Sequence, residues 1–121
     1  MSKEKVLVVD DEPNILLSLE FILEEEGFEV KTAGDGEEAL ERAKIFAPAI
    51  VLLDVAMPRR DGYEVCRILK SREAPPKVIM LTAKGQPLER KKGLEVGADS
   101  YITKPFHAGE LVAEIRALLE K

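Results

Sequence analysis

The sequence predicts an α/β fold, a doubly wound five-stranded parallel sheet with helices on both faces in three α/β/α layers. Short apolar segments alternate strictly with segments of helical periodicity, five of each, as in parallel sheets with right-handed crossovers. The apolar segments are bounded by turn residues, as buried strands are. The expected strands are Lys5–Val9, Phe28–Ala33, Ile50–Leu53 with Asp54 at its carboxyl end, Val78–Thr82 and Ser100–Thr103.

The first two helices have clear start and stop signals. Pro13 suits the first turn of a helix, where its missing N–H costs nothing, and Gly27 ends that helix. Asp35 can cap the second helix, and Glu38 three residues later completes a capping-box-like pair. Pro48 closes this second helix.

The other three helices differ in the strength of their patterns. A third helix is expected from about Gly62 to Ser71, and a fourth from Gln86 to Val96, where Gly93 and a thin apolar stripe make it the least secure. The last helix follows His107, a poor cap. Its core face is expected to hold Leu111, Ile115, Leu118 and Leu119.

Composition narrows the class of protein. The 121 residues fit one domain, and no apolar run reaches the length of a membrane span, so we expect a soluble cytoplasmic protein with no membrane partner. The net charge of −5 argues against direct nucleic-acid binding by this domain. Cys66 is the only cysteine, which excludes an intramolecular disulfide and a cysteine metal site.

Polar side chains stand where four of the predicted strands end. Asp10 and Asp11 follow the first strand, Asp54 the third, Thr82 the fourth and Lys104 the fifth. Each of these residues alone would be read as a helix cap, a β-former or a solvated turn. Because all strands of a parallel sheet end at the same edge, where such folds keep their ligand sites, we expect them to lie together.

This cluster has a definite chemistry. Two carboxylates about 4 Å apart repel by roughly 4 kcal/mol at an effective dielectric near 20, so three of them require a cation. Oxygen ligands without His or Cys suit Mg²⁺ or Mn²⁺. Lys104 would attract an anion and Thr82 would hydrogen-bond one of its oxygens. Asp54 beside a metal and a lysine is therefore equipped to attack phosphorus and become an acyl phosphate.

The chain resembles the receiver domains of two-component response regulators, including the chemotaxis receivers, from Lys5 to Leu119. The motifs that carry this resemblance are highly specific together. They are Val8-Val9-Asp10-Asp11-Glu12-Pro13, Leu53-Asp54-Val55-Ala56-Met57-Pro58 with Asp61-Gly62, Leu81-Thr82-Ala83, Gly97-Ala98-Asp99 and Tyr101-Ile102-Thr103-Lys104-Pro105-Phe106.

The resemblance implies a flavodoxin-like (βα)5 fold with strand order 2-1-3-4-5, formed by residues 1–121 as a single receiver domain. It also implies that Asp54 accepts a phosphoryl group from a histidine kinase or phosphotransfer protein. Asp11, Asp54 and the backbone carbonyl of Ala56 would then be the Mg²⁺ ligands, with Asp10 acting through water.

The resemblance also assigns a switch. Thr82 and Lys104 would hold the phosphoryl oxygens, and Tyr101 would turn inward when Thr82 moves towards the phosphate. The output face would comprise the fourth helix, the last strand and the last helix. It would be read by a downstream effector or by an output domain on the same protein.

Two positions depart from winged-helix transcription regulators of this family. Their symmetric dimers use a second acid after Gly-Ala-Asp and an arginine midway along the last helix, whereas this chain has Ser100 and Glu114 there. These residues argue against that particular dimer and leave open another phosphorylation-dependent dimer.

The resemblance favours a signalling switch that is not an enzyme. Two other functions compete with this interpretation. One is a Mg²⁺-dependent phosphatase or phosphotransferase that acts on small molecules through an aspartyl phosphate. Such enzymes usually place a second acid two residues after the nucleophile, where this chain has Ala56, and the chain has no cap domain. The other is a phosphorylation-independent interaction module, against which the intact Asp, Thr and Lys set argues.

Overall fold

The structure, a computed structural model, describes residues 3–55, 57, 61–83 and 95–120. Its strands are β1 (Lys5–Val9), β2 (Glu29–Ala33), β3 (Ile50–Asp54), β4 (Lys77–Ala83) and β5 (Ser100–Lys104). Its helices are α1 (Pro13–Glu25), α2 (Gly36–Phe46), α3 (Gly62–Lys70) and the last helix (Ala108–Leu119). The predicted helix Gln86–Val96 lies, apart from residues 95 and 96, outside the described residues.

The five strands form one parallel sheet in the order β2-β1-β3-β4-β5. The predicted fold class and strand order are therefore confirmed. β2 lies on one side of β1, and β3, β4 and β5 lie on the other side. The direction in which strands are added to the sheet therefore reverses between β1 and β3. Open α/β sheets form a crevice beyond the strand ends at such a switch point.

Alternating strand residues fill two separate cores. Val6 and Val8 of β1 pack beneath α1 and the last helix, whereas Leu7 and Val9 face α2 and α3. All four are fully buried. This two-sided burial explains why the strand reads as a continuous apolar run rather than an alternating one.

The described helices begin and end close to the predicted signals. Asp35 Oδ1 accepts the N–H of Glu38 at 2.9 Å, while Glu38 Oε1 accepts the N–H of Gly34 at 2.6 Å. Gly27 has a φ of 95°, which favours glycine after a helix. His107 precedes the last helix without a capping side-chain hydrogen bond, which confirms that it is a poor cap. No described helix has the length and apolar character needed to cross a membrane.

A half-buried ion pair fixes the start of β5 against its neighbours. Lys70 Nζ lies 2.8 Å from Asp99 Oδ2 and donates to the carbonyl of Pro76 at 2.9 Å. The same Asp99 oxygen accepts the N–H of Val78 at 2.8 Å. Asp99 of the Gly97-Ala98-Asp99 motif, which directly precedes β5, is therefore tied to the end of α3 and to the start of β4.

Close packing of α3 on β3 fixes the position of Asp54. Gly62 opens α3, and its N–H donates to the carbonyl of Val55 at 2.9 Å. A Cβ at Gly62 would lie 2.4 Å from the Asp54 carbonyl oxygen and 2.8 Å from Val55 Cα. Only glycine allows this approach, because both obstacles are backbone atoms.

We expect Gly62→Ala to lower the free energy of unfolding by about 1–3 kcal/mol, because the new methyl group forces β3 and α3 apart. Gly109→Ala is the matched control: it lies in the first turn of the last helix with nothing within 4 Å of the added carbon. This control should gain roughly 0.5–1 kcal/mol from better helix propensity. Urea unfolding of both variants measures the difference, and equal stabilities would contradict the packing argument.

The thiol of Cys66 should be inert in the folded protein. Its side chain is fully buried against the α2–α3 core, and burial raises the pKa of the thiol to about 11. The reactive thiolate is therefore roughly one part in a thousand at pH 8. A disulfide reagent should label Cys66 only as fast as the domain opens, and rapidly in denaturant. Fast labelling without denaturant would contradict this burial.

Candidate functional site

The structure brings five of the predicted site residues to the edge of the sheet where the strands end, whereas Tyr101 lies three residues before Lys104 in β5. Asp10 and Asp11 follow β1, and Asp54 ends β3 beside it. Lys104 ends β5, while Thr82 is the penultimate residue of β4. One carboxylate oxygen from each aspartate lies within 4.8 Å of the other two. The switch point between β1 and β3 therefore gathers three acids.

Asp10 is the buried anchor of this cluster. It is fully buried, and its two carboxylate oxygens have different partners. Oδ1 accepts the N–H of Glu12 at 2.9 Å, and Oδ2 accepts from Lys104 Nζ at 3.0 Å. Its own N–H donates to the carbonyl of Ala33 at 3.1 Å. These contacts fix the orientation of Asp10, while Asp11 beside it is exposed.

The Lys104 ammonium lies between two acids of the cluster. Its Nζ is 3.0 Å from Asp10 Oδ2 and 3.4 Å from Asp54 Oδ1. Burial by itself would lower the pKa of Lys104, but the hydrogen bond with Asp10 and the charge of Asp54 outweigh it, so the pKa is raised. Lys104 therefore stays protonated and can hold an anionic oxygen at Asp54.

The donor set fits a hard divalent cation. The three carboxylates and the Lys104 ammonium together carry a net charge of −2. Among the described residues, the side-chain ligand atoms that cluster are all carboxylate oxygens, and Asp11 is exposed to solvent. These features favour Mg²⁺ or Mn²⁺ over softer metals. Ala56, whose carbonyl is a predicted ligand, lies outside the described residues.

Thr82 and Tyr101 lie on the same face of the sheet. Met80 belongs to the core on the α2–α3 face, and Thr82 follows two residues later, so both side chains point to that face. Tyr101 is half-buried against the same core, on the neighbouring strand. Thr82 itself is 3% exposed and pairs in register with Thr103, two residues beyond Tyr101.

Sequence reasoning missed one residue that positions the site. The sequence predicts Gly62 only as the start of a helix, yet its lack of a side chain lets α3 contact the Asp54 backbone. The Asp61-Gly62 pair signals a helix start, but the pattern cannot show which backbone that helix contacts.

The protein family of this chain follows from a match to a family model. Residues 6–116 match the model of the response regulator receiver domain. The chain belongs to this family. Receiver domains are signalling switches of two-component systems, and this receiver domain has the phosphorelay role that the family membership gives it.

Relatives agree with this assignment. The receiver domain is 45% identical over 118 residues to the alkaline phosphatase synthesis transcriptional regulatory protein PhoP of Bacillus subtilis (strain 168), covering 98% of this chain and 49% of PhoP. It is 50% identical over 121 residues to the probable transcriptional regulator ycf27 of Cyanophora paradoxa, covering 100% of this chain and 50% of that protein. The chain spans about half the length of these curated relatives.

A solved structure gives the same result for the fold. The crystal structure of a putative response regulator from Chloroflexus aurantiacus J-10-fl superimposes with a TM-score of 0.94 at 34% identity. The match covers 99% of this chain and 100% of that one.

The contacts of the acids predict opposite effects of two similar substitutions. When a chelator has removed divalent ions, Asp11→Asn should stabilise the fold by about 1 kcal/mol. The substitution removes the repulsion between the exposed Asp11 and the buried Asp10 and Asp54. Asp10→Asn should cost about 2 kcal/mol, because it replaces the charged partner of Lys104 at a buried site. Thermal unfolding at low salt measures both, and effects of the same sign would contradict the assigned contacts.

Proposed function

We propose that Asp54 of this receiver domain accepts a phosphoryl group from a phosphohistidine on a sensor histidine kinase or phosphotransfer protein. The observation that carries this proposal is the contact of Lys104 with Asp54 beside two further acids. Asp54 is not completely buried, because its side chain is 10% exposed. The stored phosphate then acts as the signal.

In the transfer step, a carboxylate oxygen of Asp54 bonds to phosphorus as the phosphorus–nitrogen bond of the donor breaks. The electron pair of that bond returns to the imidazole nitrogen, and Asp54 becomes an acyl phosphate. Lys104 and Thr82 hold the phosphoryl oxygens, and Lys104 already stands within 3.4 Å of Asp54. The chemistry of the domain is this transfer and the later hydrolysis of its own acyl phosphate.

The acids of the cluster hold a divalent ion in this proposal. Asp11, Asp54 and the backbone carbonyl of Ala56 would bind Mg²⁺ or Mn²⁺, and Asp10 would act through water. The partners of Asp10 support this division, because both of its oxygens already accept hydrogen bonds from the protein. A divalent ion held there would neutralise negative charge on the carboxylate and the incoming phosphoryl group.

Phosphorylation is then read at the surface around β5. Thr82 moves towards the phosphate, and Tyr101 turns into the space on the same sheet face. The output face comprises the predicted fourth helix, β5 and the last helix. Its reader is a downstream effector, an output domain of a longer protein or a partner in a phosphorylation-dependent dimer.

Residues 1–121 act as one cytoplasmic receiver domain that does not itself bind nucleic acid.

The phosphoacceptor assignment has a direct test. Incubation with acetyl phosphate and Mg²⁺ should add the mass of one phosphoryl group, and Asp54→Asn should abolish the addition because an amide cannot form the acyl phosphate. Intact-protein mass spectrometry measures the change, and a chelator should suppress it in the unmodified protein.

Asp35→Asn provides the matched control. Asp35 follows β2 at the same end of the sheet, and asparagine can replace it as the cap of α2. This variant should be phosphorylated like the unmodified protein. Labelling of Asp54→Asn at the normal level would overturn the assignment.

A further inference from the structure

The edge of the sheet formed by β2 carries a small groove. This groove has a volume of about 300 Å³, and its walls are formed by three cationic and two apolar side chains, Lys5, Lys31, Arg42, Ile45 and Phe46. Ile45 is 81% exposed, whereas Phe46 is half-buried. The groove therefore combines a basic rim with a small apolar floor, far from the carboxylates at Asp54.

Two of the three cations have no acidic partner among the described residues. The Lys5 ammonium donates to the carbonyl of Phe46 at 3.3 Å and lies 5.4 Å from the centre of the Phe46 ring. Lys31 is exposed and forms no ion pair. Arg42 pairs with Glu38 at 3.3 Å, but both side chains are exposed, so this pair contributes little. The walls of the groove therefore favour an anionic occupant.

The β2 edge also offers backbone groups to a partner. β2 is the terminal strand on the side of the sheet opposite β5. The N–H of Glu29 and the carbonyl of Ala33 form hydrogen bonds on the β1 side. Because backbone groups alternate along a strand, those of Val30 and Thr32 point away from β1. The Thr32 carbonyl accepts a hydrogen bond from the Arg42 guanidinium, which takes the place of a neighbouring strand.

The cations follow the direction of β2. Lys5 is in register with Glu29, and Lys31 lies two residues further along, so the two lysines are offset by about 6.6 Å along the strand. Lys31 is in register with Leu7 of the α2–α3 core, so it lies on the sheet face that carries α2. Glu29 does not line the groove. A segment beside β2 with acids on that face therefore passes Lys5, Lys31 and Arg42 in turn.

We infer that the β2 edge is the docking site for an extended acidic segment of a partner protein, with aspartate or glutamate at alternate positions. The segment adds to the sheet as a sixth strand outside β2. Its N–H takes over the Thr32 carbonyl, and the released Arg42 guanidinium binds one of its carboxylates.

The backbone of β2 selects this partner over other anions. A helix would leave the outward backbone groups of Val30 and Thr32 unpaired. Nucleic acid would match the cations, but it has no peptide N–H to offer the Thr32 carbonyl. The docking site lies at the edge opposite β5 and does not depend on chemistry at Asp54.

A short peptide in which glutamate and threonine alternate is the probe. Binding to the whole chain is measured by fluorescence anisotropy. The peptide should bind, and added salt should weaken its binding because the ion pairs are exposed. A lysine–threonine peptide of the same length should bind at least about tenfold more weakly, since it meets like charges.

Two N-methylated forms of the peptide test the added strand. One carries methyl groups on the amide nitrogens of the glutamates, and the other carries them on those of the threonines. These two sets of N–H groups point in opposite directions in a strand, so only one set faces β2. One form should therefore bind at least about tenfold more weakly than the unmethylated peptide, and the other should bind like it.

Charge reversal tests the basic wall. Lys31→Glu should weaken peptide binding roughly five- to tenfold, because it replaces one exposed attraction with a repulsion, and Lys31→Gln should give a smaller loss. Arg67→Glu is the matched control, because Arg67 is also exposed and cationic but lies on α3. This control should bind like the unmodified protein. Urea unfolding should show that all three variants are folded.

Three results would overturn the docking site. The first is an equal loss of binding in Lys31→Glu and Arg67→Glu. The second is an equal effect of the two N-methylated forms, which would exclude pairing with the edge. The third is a single-stranded oligonucleotide that binds as tightly as the acidic peptide. Self-association that Lys31→Glu abolishes, seen by sedimentation without any binding of the peptide, would assign the edge to a second copy of the chain instead.

Discussion

The contact of the Lys104 ammonium with Asp10 and Asp54 is the constraint on which the site depends. A parallel sheet gathers its strand ends at one edge and so concentrates their acids, which repel one another. Lys104 offsets part of this repulsion at 3.0 Å and 3.4 Å from two of them. Because Lys104 and Asp10 are 94 residues apart in sequence, the contact forms only when β5 has joined the sheet. The site and the completed fold therefore stabilise each other.

The position of Asp54, the proposed phosphoacceptor, depends on backbone packing as well as on the charge of Lys104. Asp61 caps α3 by accepting the N–H of Glu64 at 2.9 Å, which fixes where this helix begins. Gly62 then brings the helix start against the backbone of Asp54. A reacting carboxylate has to be held to within a fraction of an ångström for efficient transfer. The Gly62 N–H that donates to the Val55 carbonyl serves this requirement through a backbone contact.

In the proposed function, β5 connects the phosphoacceptor Asp54 to the output face. The end of β5 supplies Lys104 to the acids, and three residues earlier the strand carries Tyr101, the predicted switch residue. Under the proposed function, β5 is the element that carries a signal from Asp54 to the outer strand of the sheet. Glu114 makes this edge acidic where the family resemblance gives winged-helix regulators an arginine.

The sequence by itself determined the fold class, the strand order through its family motifs, and the residues that stand at the strand ends. These features are recoverable because apolar periodicity and turn residues are local signals, and because parallel strands all end at one edge. The tertiary structure decided which side chains touch. The two oxygens of Asp10 could be divided between Glu12 and Lys104 only once residues distant in sequence had been packed together. The same holds for Gly62, since a sequence pattern signals a helix start but not the backbone that the helix contacts.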